Sequence, residues 1–312
     1  MKQASKTLIA ALAVSLFAAC GGEGGRQFLS LGTAGTGGIY YPLGGAIASR
    51  LSIADSARQY TAEVSGGSEE NINRLANGQM DLAMTIGMTA YQAYHGEGGF
   101  TQPITSLRAL APLYPNVTHI LVPANSRAQT VADFSGMRVS VGAAGSGTEA
   151  LSRHILEAHG LTYEDITPRY LSFAESSAAL QDGAIDAAII SVGYPAAAVL
   201  EVTTTTSMRL LGIEPDVMEA MLEQHPYYTE GEIPSGSYRG MNETISTIAV
   251  MNWIVATESL DDDVVEILLN MMENDRVALE EVHDMAKQID LGLMARPPIP
   301  LHTAAEAWFS RR

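Results

Sequence analysis

A chain of 312 residues with 46% hydrophobic content has enough apolar side chain for two core-bearing lobes. Its formal charge of −17 argues against nucleic acid or an anionic lipid surface as partner, since both repel an acidic protein. One cysteine excludes an internal disulfide.

In chain order, Lys2 and Lys6 precede an apolar run over 8–19 that ends in Leu16-Phe17-Ala18-Ala19-Cys20. The run is too short to span a bilayer but suits the apolar part of a secretory signal. Small residues directly before a cysteine resemble a bacterial lipoprotein signal, so 1–19 is predicted as a signal peptide with Cys20 acylated. Phe17 stands where such signals usually carry leucine, and a plain cut near Ala19 is the alternative. Gly21-Gly22-Glu23-Gly24-Gly25 then reads as a flexible tether over 20–26. The predicted location is the periplasm, with membrane contact only through the N-terminal lipid.

The body starts with a strand at 28–31, a glycine-rich loop at 32–38 and a helix at 40–51 that tolerates Pro42 in its first turn. A strand at 60–64 leads through Gly66-Gly67-Ser68, with Ser68 as N-cap, into a helix at 69–76. Asn77-Gly78 closes that helix before a strand at 81–86. The run 111–122 is proline-flanked and apolar, and reads as a first crossover between lobes. The second half repeats the grammar: strand 137–141, glycine loop 142–147, helix 148–159, strand 167–171 and a helix at 174–180. The polar stretch 227–240 reads as a surface excursion. A β-rich segment at 245–254 is the expected return crossover, and 261–287 is strongly helical.

Two elements recur in the same order. Leu29-Ser30-Leu31-Gly32-Thr33-Ala34-Gly35-Thr36-Gly37-Gly38 returns 110 positions later as Val139-Ser140-Val141-Gly142-Ala143-Ala144-Gly145-Ser146-Gly147-Thr148, with five of ten pairs identical. Likewise Leu75-Ala76-Asn77-Gly78-Gln79-Met80-Asp81 matches Leu180-Gln181-Asp182-Gly183-Ala184-Ile185-Asp186. Strands alternating with helices imply an α/β chain with mostly parallel sheets, whose ligands sit beyond the carboxyl ends of the strands. Both glycine turns fall there, each opening a helix that presents free N–H groups and a positive dipole end. Two such turns suggest two lobes facing one small anion.

Other chemistries lack their residues. The loop at 142–147 reads GxxGxG, and neither turn has a phosphate-binding lysine, so no nucleotide and no cofactor is expected. The seven histidines show no HExxH pattern, and no metal is expected. His119, within the apolar crossover, reads as a structural histidine before a ligand contact. No G-x-S-x-G or supported S-x-x-K context points to a nucleophile, and the chain is not read as an enzyme. The loops can instead hold a carboxylate or phosphate through N–H groups and the hydroxyls of Thr36, Ser68, Ser146 and Thr148. Tyr40, Tyr41 and Tyr194 stand where they can wall the cleft.

Four motifs resemble the TAXI-type solute-binding proteins of TRAP transporters: Gly35-Thr36-Gly37-Gly38-Ile39-Tyr40-Tyr41-Pro42-Leu43-Gly44, Gly66-Gly67-Ser68-Glu69-Glu70-Asn71, Gly78-x-x-Asp81-Leu82-Ala83 and Gly142-x-x-Gly145-Ser146-Gly147-Thr148. Gly193-Tyr194-Pro195 keeps the Gly-x-Pro pattern of the second lobe. The resemblance implies a two-lobed, periplasmic-binding-protein-like fold (type II-like, a Venus flytrap). It also implies capture of glutamate or a related dicarboxylate and delivery to a TRAP membrane permease. Where many relatives have Gln-Ser-Asp, this chain has Ile86-Gly87-Met88-Thr89, which leaves the ligand open. Lobe I is expected over 27–115 plus 248–312 and lobe II over 116–247, hinged near 113–120 and 245–252. The expected ligand-binding residues are Thr36, Gly37, Gly38, Tyr40, Tyr41, Ser68, Asn71, Gly145, Ser146, Gly147, Thr148, Gly193 and Tyr194. The rival readings are a lipid-anchored sensor for a membrane signalling protein and, further off, an enzyme on the same scaffold.

Overall fold

The computed structural model describes residues 27–312; the expected signal segment and Cys20 lie outside the described residues. The first lobe is built on β1 (Gln27–Gly32), α1 (Tyr40–Ala54), β2 (Arg58–Glu63), α2 (Ser68–Ala76) and β3 (Leu82–Ile86). β1 lies between β2 and β3 and is parallel to both. Leu29 and Leu31 alternate into the core, as the period of a strand demands. α2 buries Ile72 and Leu75 on one face, with Glu69 and Glu70 in its first turn and Arg74 in its last, the order that suits the helix dipole.

The second lobe repeats the plan with β5 (Arg138–Ser140), α4 (Gly147–Ala158), β6 (Thr167–Arg169), α5 (Phe173–Gln181) and β7 (Ala187–Val192), where β5 lies between β6 and β7. The second recurring element is the same in both lobes down to its hydrogen bonds. Gly78 and Gly183 both have positive φ. The N–H groups of Gly78 and Gln79 reach back to Leu75 and Arg74, and those of Gly183 and Ala184 reach Leu180 and Ala179. Only glycine adopts that backbone without strain at a helix end. Asp81 then accepts from Ser30 N at 2.7 Å, and Asp186 from Arg138 N at 2.8 Å, each carboxylate tying a strand end to its neighbour. The first recurring element needs a correction. Leu31 pairs with Leu82 where Val139 pairs with Ala187, so the strands correspond two residues off the register that the glycines suggested.

Two long strands join the lobes. β4 (Leu107–Pro123) and β10 (Ile245–Thr257) run antiparallel, from Thr257 beside Leu107 to Ala249 beside Val117. β10 continues onto β3, and β4 onto β7, which gives one sheet in the order β2-β1-β3-β10-β4-β7-β5-β6. The sheet is therefore mixed: parallel at each flank and antiparallel through the crossovers. β8 (Met208–Leu211) adds to β4 and β9 (Tyr228–Ile233) to β10. The stretch expected as a surface excursion thus contributes a strand, and Tyr228, Ile233, Tyr238 and Met241 are buried. Only the end residues of β9, Tyr228 and Ile233, are buried, and the exposed Thr229, Glu230 and Glu232 between them give the strand the composition of a loop.

Further helices are α3 (Gly87–His95), α6 (Ala197–Thr205), α7 (Pro215–Gln224), α8 (Asp262–Asn274), α9 (Arg276–Glu280) and α10 (Thr303–Ser310). The single helix expected over 261–287 is broken between α8 and α9. Asn274 and Asp275 are weak helix formers, and Asp275 is held by Arg50 of α1 at 2.7 Å. Among the described residues no helix is long and apolar enough to cross a membrane.

Candidate functional site

A cavity of about 400 Å³ lies between the lobes. Its walls come from the segments that follow β1, β2, β5 and β6, from the ends of β3 and β7, and from Tyr114 and Asn116 in the middle of β4. This is the expected place for a ligand on parallel strands, outside their carboxyl ends. The opening residues of four helices line it: Tyr40 of α1, Ser68 of α2, Gly147 of α4 and Phe173 of α5.

Each of those helix starts carries N–H groups that have no intrahelical partner. Some are already used. Ser146 Oγ accepts from Glu149 N at 3.1 Å and caps α4. Ser172 and Glu175 form a reciprocal capping box on α5. Ser68, expected as a cap, is instead the first residue of α2, after Gly67, and its Oγ accepts from Ile86 N at 3.1 Å. The lining contains no lysine, arginine or histidine. Its one carboxylate, Glu175, accepts from Ser172 N and Oγ, which lowers its pKa below the usual range. The cavity therefore has only backbone N–H groups, hydroxyls and helix dipoles with which to attract an anion.

The floor is a hydrogen-bonded set centred on buried Asn252 of β10. Its Oδ1 accepts from Tyr40 Oη, and its Nδ2 donates to Tyr114 O at 2.6 Å and to Asn116 Oδ1 at 2.9 Å. Asn116 Nδ2 in turn donates to Ser191 O at 3.1 Å. Burial pushes the Tyr40 and Tyr114 hydroxyls far above their ordinary pKa, so both remain neutral. Two buried hydroxyl groups in this floor, Tyr114 Oη and Ser191 Oγ, have no hydrogen-bond partner within the protein.

The lobes touch across the cleft. Glu70 N donates to Gly145 O at 3.0 Å and Ala198 N to Gly37 O at 3.1 Å. Glycines permit this approach, Gly37 and Gly147 among them. A Cβ on Gly37 would stand 2.9 Å from Ala174 N, and one on Gly147 would stand 2.7 Å from Ile86 Cδ1 and 2.9 Å from Ser68 Oγ. Any larger residue there would hold the jaws apart.

Of the residues expected at the site, Thr36, Gly37, Gly38, Tyr40, Ser68, Ser146, Gly147 and Thr148 come together in the cavity wall. Five do not. Tyr41 is on the outer side of α1 and 40% exposed. Asn71 is buried behind the wall, where its Nδ2 donates to Thr33 O and Met84 O at 2.7 and 2.8 Å. Gly145 is used by its carbonyl in the contact with Glu70. Gly193 backs onto Ile39 and Met285, and Tyr194 packs on the core. Ser172, Phe173, Glu175, Tyr114, Asn116 and Ser191 were missed. The S-x-x-E spacing of Ser172 and Glu175 is a readable helix start; the other four carry no local pattern. His119 stays off the cavity and is satisfied by Val117 O and Tyr238 Oη at 3.1 and 2.8 Å.

Residues 31–310 match the NMT1-like family. The chain belongs to that family. A stretch of 90 residues in this NMT1-like protein is 40% identical to a putative aliphatic sulfonates-binding protein of Escherichia coli (strain K12). It covers 29% of this chain and 28% of that relative. Among solved structures, MatC from Rhodopseudomonas palustris with bound malate is 11% identical with a TM-score of 0.59, over 91% of this chain and 97% of that one. PhnD1 from Prochlorococcus marinus (MIT 9301), in complex with methylphosphonate, is 14% identical with a TM-score of 0.55, over 91% and 96%. The periplasmic binding protein BugD is 12% identical with a TM-score of 0.59, over 92% and 98%. At these identities the likeness is one of fold: this NMT1-like chain has the two-lobed α/β architecture of periplasmic binding proteins.

Proposed function

We propose that the protein is an extracytoplasmic solute-binding receptor, not an enzyme, which closes its two lobes on a small carboxylate and delivers it to a TRAP membrane permease of the TAXI type. The observation that carries this reading is the convergence of four helix starts from both lobes on one cavity without a cationic side chain. Micromolar affinity corresponds to about 8 kcal/mol, and one helix terminus contributes roughly 0.3–2 kcal/mol. Several termini must act together, and closure is what brings them together. A ligand that touches both jaws favours the closed state by its contacts there.

The lobes divide at 27–115 plus 248–312 and 116–247, with β4 and β10 as the flexing strands. Cys20 carries the lipid that holds the receptor at the membrane. Glutamate and related dicarboxylates are the first ligands to test, followed by sulfonates and phosphonates.

Calorimetry on the purified chain against that panel tests the reading. Thr36→Ala and Ser146→Ala, one on each jaw, should each weaken carboxylate binding about tenfold, the loss of a hydrogen bond to a charged group. Unchanged affinity in both variants would sink the two-jaw account. Uptake of the same carboxylate into vesicles holding the permease, dependent on added receptor, separates a transport role from a sensing one.

A further inference from the structure

The glycine turns account for one end of a ligand. The floor of the cavity has a different chemistry. It is made by sheet residues of β4, β7 and β10 together with the Tyr40 side chain, and its side chains are neutral. Tyr40 Oη is satisfied by Asn252, and both ends of the Asn116 amide are engaged. Tyr114, fully buried, and Ser191, 3% exposed, are lining residues of the same cavity, and nothing in the protein satisfies their hydroxyls. Buried polar groups are as a rule hydrogen-bonded, and one left over in a binding cavity is a group kept for the ligand.

The backbone behind these hydroxyls is fixed. Tyr114 O accepts from Asn252, and Ser191 O accepts from Asn116, whose Oδ1 is held by the same Asn252. One buried asparagine on the return crossover thus sets both floor residues, directly and through Asn116, so they are positioned before a ligand enters.

We propose that Tyr114 and Ser191 form a second polar subsite, which receives an oxygen of the ligand remote from its anionic head. The ligand is then a small carboxylate with a second oxygen-bearing group, and a plain alkyl carboxylate of equal length is rejected. This rests on the carboxylate reading of the cleft given above. It adds a specificity rule to that reading: the jaws select for charge, and the floor selects for a second hydrogen-bond acceptor. A site built to bond an oxygen discriminates sharply against an analogue that lacks it, because its own hydroxyls are then left unpaired.

Three five-carbon probes test the rule by calorimetry on the purified chain: pentanoate, 4-oxopentanoate and pentanedioate. The two with a second oxygen group should bind about tenfold or more tighter than pentanoate. Tyr114→Phe and Ser191→Ala should each erase most of that difference, with pentanoate bound no more weakly than by the wild-type chain. A thermal melt of the ligand-free variants supplies an independent readout. Removing a hydroxyl without a protein partner should leave the midpoint unchanged or raise it, whereas a structural hydroxyl would lower it. Equal binding of all three probes to the wild-type chain would overturn the subsite and leave the two-jaw receptor standing. So would variants that weaken pentanoate as much as the others. If none of the three binds, the carboxylate reading falls, and this inference with it.

Discussion

At the scale of single residues, what decides the site is where a side chain is absent. Gly147 belongs to the second lobe, yet a Cβ there would meet Ile86 and Ser68 of the first at 2.7 and 2.9 Å. Gly147→Ala should therefore leave each lobe intact and oppose their approach. The expected outcome is ligand affinity reduced about tenfold, since off-rotamer or shifted neighbours cost about 1–3 kcal/mol. Small-angle scattering should then show a ligand-bound radius closer to that of the free protein. Wild-type affinity and compaction in the variant would show that the contact is not part of closure. Glycines of this kind were legible because they recur around strand ends. Tyr114 and Ser191 were not, because a tyrosine or serine inside an apolar strand looks the same whether it faces a cavity or a core. Asn71 is the converse case: it lies in a recognisable motif, and its amide is spent on Thr33 and Met84.

Elements were read with more success where their ends carry punctuation. The glycine closures at Gly78 and Gly183 and the acids after them marked two matching strand–helix units. By contrast, α3 starts on Gly87 with no side-chain cap, and nothing local announced it. α3 also takes part in a contact that no single element shows. His154 of α4 stacks on His225 at 4.4 Å between ring centres, and Tyr227 beside them meets Tyr91 of α3 at 5.6 Å. Tyr228 Oη donates to Met88 Sδ and is bonded to His154 Nδ1 at 2.8 Å. Burial, and then the neighbouring His225, depress the His154 pKa to about 4, and burial depresses His119 to about 4 as well. His225 is lowered by burial too, while Glu157 pulls it back up. Tyr227 faces Glu97, and the Tyr91 ring meets His95 at a tilt of 46° with centroids 4.4 Å apart. In the unfolded chain these imidazoles protonate near the ordinary 6.5. Between 6.5 and 4 the unfolded state binds more protons, so stability must fall as pH falls through that window. Melting from pH 7 to 4.5 should show a progressive drop in midpoint. The drop should be shallower in His154→Asn, and shallower again with His119→Asn added. An identical slope in all three proteins would mean that neither imidazole is held neutral by the fold.

For the whole molecule the decisive fact is that the lobes share a sheet. A sequence can show two similar halves, and this one did through its paired glycine turns and paired helix closures. It cannot show how deeply the halves are joined, because the partners of β4 and β10 are distant in the chain. In the structure these strands form the middle of one sheet, and β10 carries β3 on one side and β4 on the other. Asn252, on β10, ties Tyr40 of the first lobe to Asn116 of β4, which in turn holds Ser191 of β7 in the second. Unfolding of the second lobe would strip pairing from strands that the first lobe needs, so the halves should unfold together. The two tryptophans, Trp253 on β10 and Trp308 on α10, are both buried in the first-lobe side of the structure. Their fluorescence reports that side, while far-UV circular dichroism reports helices of both lobes. In urea the two signals should trace one transition with the same midpoint, the signature of all-or-none unfolding. Ligand should move both midpoints upward by the same amount, because it binds the folded cleft alone. If dichroism is lost in a first step while fluorescence holds, the crossovers act as a hinge between independent domains, and the shared sheet contributes nothing to their cooperation.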